Sequence, residues 1–151
     1  MTDRRKTWTA PTPEPVDGPL FGDERPILEG TLQWHRATLL NICAGANSEQ
    51  LARRPFPPST LSLLGLVRHL AKVERIWFRE RLGAMSFDPM YDAALGKDSD
   101  FLGATEAGAE SDFAQFLPSA VPRTRLRPDA RWTTWSTREV GRCRCGWSTC
   151  T

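Results

Sequence analysis

Nowhere does the 151-residue sequence approach the ~20 consecutive apolar residues that a bilayer-spanning helix needs, so no membrane partner is expected. The basic residues of the opening MTDRRKTW have no apolar run behind them, which indicates no signal peptide and gives a cytoplasmic location by default. Excess charge of one sign is lacking too. With Lys+Arg at 20 and Asp+Glu at 18, the formal net charge is +2, and neither clear helix presents a basic recognition face, so nucleic acid is not an expected partner. The four cysteines include no CxxC pair; Cys143, Cys145 and Cys150 make only a CxC with a third cysteine behind it, a weak metal or disulfide signal. Cys43 reads as a small, partly buried helix residue with a reduced thiol. Histidine is scarcest of all, with His35 and His69 the only two.

What is present is the length and composition of one domain, 40% hydrophobic and 25% charged. Its clearest element runs from Pro55 to Gly83. Pro57 and Pro58 hold the entry extended, Ser59 or Thr60 is placed to cap the first N–H groups, and Gly83 supplies a left-handed stop. Leu63, Leu66, Val67, Leu70, Val73 and Trp77 recur at helical spacing as the buried face, with Arg68, Lys72, Arg75 and Arg79 mainly outside it. His69 stands on the flank of that stripe. A histidine there is a hydrogen-bonded core residue, a general base or a metal ligand. Glu74, about 140° around the helix from it, is a poor co-ligand and reads as an exposed or helix-pairing carboxylate.

An earlier helix is marked by Asp23 as cap, Pro26 in the first turn and Gly45 at the end, with Leu28, Leu32, Leu39 and Ile42 along one face. His35 continues that row, half-buried or functional. Before it, residues 1–22 form a Pro-rich lead-in expected to be solvated and disordered. Beyond Gly83, Asp88, Asp92, Asp98, Asp100, Glu106 and Glu110 lack a calcium-loop spacing and read as a solvated acidic loop. Asp112–Leu117 then begins a third helix with Phe113 and Phe116 positioned to pack.

The segments ERPILEGTLQWHRATLLNICAG and SEQLARRPFPPSTLSLLGLVRHLAKVERIWF together resemble the DinB/YfiT-like superfamily, in its actinobacterial domain-of-unknown-function branch of the mini-circle type. The likeness covers roughly Asp23 to Leu117, and PPSTLSLLGLVRHL is its specific core. It implies an all-α, up-down four-helix bundle and, in many members, a divalent metal such as zinc or nickel held by three histidines. His69 matches the ligand from the second long helix. The other two would come from an HxxxH pair on the last helix, which this chain lacks, and His35 matches neither, so the implied site is incomplete. The implied chemistry is metal-dependent transfer of a small thiol of the mycothiol type.

After Leu117 the composition changes. The stretch 118–151 is rich in Arg, Pro, Trp and Cys, holds three of the four cysteines and half of the six tryptophans, and sustains no apolar period. Shifting the reverse-translated frame by two bases turns parts of it into family-like sequence, with a histidine where the first half of HxxxH belongs. We therefore read residues 23–117 as a helical domain truncated after the start of helix three, and 118–151 as an irregular, out-of-frame tail. Six large side chains left half exposed by the missing helices would forfeit roughly 5–9 kcal/mol, comparable to a domain's whole stability. The product as written is expected to be inactive and unstable, or dependent on a homodimer. The alternative function is a non-catalytic helical protein that binds a partner or dimerises through its apolar face.

Overall fold

The computed structural model describes residues 8–18 and 21–119. Among these residues the ordered elements are helices, with no strand beyond one isolated bridge between Thr9 and Asn47. Helix α1 spans Glu24–Cys43, α2 Ser48–Ala52, α3 Leu63–Glu74, α4 Ser99–Leu102 and α5 Ala109–Ser119. The all-α expectation is met. The tail cysteines and tryptophans lie outside the described residues.

The starts of α2 and α3 follow from local capping chemistry. Asn47 and Gln50 form a reciprocal capping box at α2, each side chain accepting from the other's backbone N–H at 2.9 Å. At α3 the cap is Ser62, whose Oγ accepts from the Gly65 N–H at 3.0 Å; Ser59 and Thr60 lie too early. Helix α3 does not stop at Glu74. It continues as a wider π-type turn over Arg75–Arg81, with the Leu82 N–H bonded to the Trp77 carbonyl five residues back. The left-handed residue at its end is Ala84, at φ 51°, and not Gly83 as expected.

Helix α3 is the hub, packed on α5, α4 and α2. Its buried positions are Leu64, Gly65, Val67, Arg68, Ala71 and Glu74. That face is turned by about one residue from the expected stripe: Leu63, Leu66 and Leu70 are only partly buried and Trp77 is 43% exposed. The rotation brings two charges inward, and both are paired. Arg36 of α1 grips Glu74 through Nε–Oε1 at 2.6 Å and Nη2–Oε2 at 2.7 Å, a two-point bond that ties α1 to the end of α3. Glu74 is thus the helix-pairing carboxylate, buried rather than exposed. On α1 the expected face also turns, since Leu39 is buried with Arg36, Ala37, Leu40 and Cys43, while Leu28 and Ile42 are exposed.

Phe113 and Phe116 of α5 are buried as expected and complete the core with Leu51, Leu64 and Val67. The Pro-rich lead-in is not solvated throughout. Ala10 is buried and exchanges backbone hydrogen bonds with Ala46 and Gly45, and Trp8 meets Phe113 edge-to-face at 5.4 Å.

Candidate functional site

The chemistry-bearing side chains converge where α3 meets α4. Arg68 sits at the centre, 8% exposed. Its Nη1 donates to Asp112 Oδ1 at 2.7 Å, its Nε to the Asp100 carbonyl at 2.6 Å, and its guanidinium lies 3.9 Å from the centre of the Tyr91 ring. The Tyr91 hydroxyl donates back to the Arg68 carbonyl at 3.1 Å. One guanidinium therefore fixes the connection before α4, α4 itself and α5 against α3. Because Arg68 holds the Asp100 backbone, it also places the Asp100 side chain.

That carboxylate meets His69. Asp100 Oδ2 lies 2.7 Å from His69 Nδ1, with Asp100 almost wholly buried and the imidazole 42% exposed. Phe101, the next residue, stacks on the ring at 5.2 Å between centres and 27° between planes. Burial alone would raise the Asp100 pKa. The hydrogen bond from His69, its own backbone N–H and the Lys72 charge outweigh that and hold it below the ordinary 3.8. An ionised carboxylate only accepts, which assigns the proton to Nδ1 and, in the neutral ring, puts the lone pair on Nε2, the nitrogen not engaged by Asp100. Lys72, one turn along α3, stands 3.4 Å from Asp100 Oδ1, an atom with no hydrogen bond of its own among the described residues.

Asp112 behaves differently. Burial pushes its carboxyl up, and the Arg68 hydrogen bond and charge pull it back only in part. Tyr91, half-buried, is pushed up by that burial well beyond the ordinary phenol range and stays a neutral donor. The Cys43 thiol is fully buried and raised by that burial to about 11, so it is an inert core thiol and no nucleophile.

His69 thus lies on the flank of α3 as expected, but His35 does not approach a site of this kind: it is exposed and packs edge-to-face on Trp34 at 4.9 Å. Asp100 overturns the expectation of a solvated acidic loop, being drawn inward by Arg68 and His69. Nothing in its irregular acidic surroundings marks it in the sequence. Arg68 is buried, against the expectation that it lies outside the apolar face, because hydropathy assigns every arginine to the outside.

The geometry is that of an imidazole oriented by a buried carboxylate, an arrangement that suits either a base or one metal ligand. As a metal site it is partial. Among the described residues no group of three His, Cys, Asp or Glu side chains is placed to hold an ion.

The sequence over residues 27–142 matches the Mycothiol-S-transferase family. The chain belongs to that family. The family lies within the DinB/YfiT-like superfamily, in agreement with the resemblance read from residues 23–117, and the matched span runs past Leu117 into the composition-shifted stretch. No curated protein and no solved structure matches the chain. Among the described residues, no helix of this family member is long and apolar enough to cross a membrane.

Proposed function

We propose that this chain is a mycothiol-S-transferase-type protein of the mini-circle branch, on a four-helix-bundle plan, in which His69 is the first metal ligand and Asp100 aims it. The observation that supports this is the 2.7 Å contact between His69 Nδ1 and buried Asp100, which leaves Nε2 as the nitrogen with a lone pair for a metal. A divalent metal such as zinc or nickel, when held by a complete ligand set, supplies a lowered thiol pKa and so a thiolate nucleophile. With His35 and His69 the only histidines in the chain, three imidazoles cannot be assembled from it, and the fit is incomplete. The product as written is catalytically inactive, and a small thiol of the mycothiol type is the substrate class its intact form would take.

Metal titration by calorimetry tests the assignment. The wild type should bind zinc or nickel no tighter than micromolar, His69→Ala should abolish that binding, and conjugation of mycothiol to an electrophile should be undetectable. Binding that survives His69→Ala sinks the ligand assignment; measurable turnover sinks the inactivity. Resequencing the codons for residues 112–123 decides separately whether 118–151 is out of frame.

A second reading, a homodimer or partner-binding helical protein, is favoured by one feature of α1. Leu28, His35 and Ile42 fall seven residues apart on one exposed row, with Leu28 at 48% and Ile42 at 61% exposure, beside Trp34 at 49%. Such a row on an isolated surface invites association.

A further inference from the structure

One turn beyond His69 a cleft of about 350 Å³ opens between α3 with its π-type extension and the loop around Asp88–Ala93. Lys72 and Arg75 project into it from one helical face, and Ile76, Phe87, Met90 and Tyr91 supply apolar walls. The volume is at the low end for small-molecule sites. Two cations three residues apart lie on the same side of a helix, about 5–6 Å apart at Cβ.

Neither cation is used up by the protein. The Lys72 ammonium has three N–H donors. One goes to the Lys97 carbonyl at 3.0 Å, while Asp100 Oδ1 stands at 3.4 Å. The Arg75 guanidinium packs 4.6 Å from the centre of the Phe87 ring and gives Nη2 to the Asp88 carbonyl, an uncharged partner that leaves its positive charge unneutralised there. Glu80 also lines the cleft, 3.8 Å from Arg75 Nε, too long for a hydrogen bond. Asp88 lines it as well but is exposed to water.

We propose that this cleft binds a small organic carboxylate with an apolar ring, its oxyanion between Lys72 and Arg75 and its ring against Ile76, Phe87 and Tyr91. Lying one turn from His69, it would seat the acceptor substrate beside the thiol site. That placement rests on the functional reading above, but the binding itself does not. Burial of the ring offsets the loss of water, and the two charge-assisted contacts select the anion over its neutral isostere. Glu80 competes with the ligand for Arg75.

Protein-observed NMR titration with benzoate and with benzyl alcohol tests this on the full chain. Benzoate should saturate with shifts at Ile76, Phe87 and Tyr91, and benzyl alcohol should bind at least about tenfold more weakly, a difference of ~1.4 kcal/mol. Lys72→Gln/Arg75→Gln should lose about tenfold or more, Lys72→Arg should retain binding, and Glu80→Gln should tighten it. Unfolding curves confirm that each variant is folded. Metal binding is read on His69→Ala and benzoate binding on Lys72→Gln/Arg75→Gln, so loss of metal binding and loss of carboxylate binding are separate results. Equal affinity for benzyl alcohol, undiminished affinity in the double variant, or no saturable shift overturns the proposal.

Discussion

At the scale of the residue, the site turns on how buried charges are shared. Arg68 holds Asp112 by its side chain and Asp100 by its backbone, and Asp100 then has its carboxylate to spend on His69. The two acids answer burial in opposite directions because their partners differ, with Asp112 raised and Asp100 lowered. The lowered group binds its proton less tightly folded than unfolded. Its contribution to stability is therefore present above the ordinary 3.8 and is lost as pH falls through the lower folded value. Asp112, being raised, has the opposite slope and removes stability as pH rises from 3.8 through its folded value, where its proton is lost. Asp100→Asn should thus cost stability near neutral pH, and its deficit relative to the wild type should shrink below about pH 4. Urea unfolding at both pH values reads this directly. A deficit that stays constant with pH would show that the effect comes from packing or from Asp100's geometry alone.

Among the elements, α3 shows what hydropathy can and cannot place. Its existence, its extent to the low eighties and the packing of Phe113 and Phe116 below it were all legible, since apolar periodicity and helix punctuation act locally. The exact face was not. Arg68 and Glu74 each find a buried partner far along the chain, Asp112 and Arg36, and pairing over such separations leaves no local mark. Asp100 was illegible for the same reason. The cap moved as well, because Ser59, Thr60 and Ser62 are all competent cap residues and only the chain's entry angle chooses between them. Ser62→Ala should therefore lower stability by ~1 kcal/mol, with Ser59→Ala and Thr60→Ala within ~0.5 kcal/mol of wild type in chemical denaturation. The reverse order would place the helix start two or three residues earlier. The Ser62 effect should extend to the site, since Gly65, whose N–H it holds, packs so closely on Phe101 that an added Cβ would come within 2.8 Å of that ring.

For the whole molecule, the question is what covers the apolar surface left over. The rows Leu28–Ile42 on α1 and Leu63–Leu66–Leu70 on α3 are each less than fully buried, and Trp34 and Trp77 stand nearly half exposed. Leaving them in water costs on the order of 1 kcal/mol for each half-exposed large side chain. A second copy of the chain offers the same rows and can cover them at no cost in new sequence, which is how isologous interfaces arise. Sedimentation velocity across a concentration series should then show a reversible shift toward the dimer, and Ile42→Glu should hold the chain as a monomer. Because Ile42 is 61% exposed, that substitution disturbs little of the core, and its effect on the unfolding free energy measured well below the dimer's dissociation constant should be within ~0.5 kcal/mol. A monomer at every concentration in the wild type would instead mean that the chain covers these rows itself, and the dimer reading would fall while the His69–Asp100 site stood unchanged.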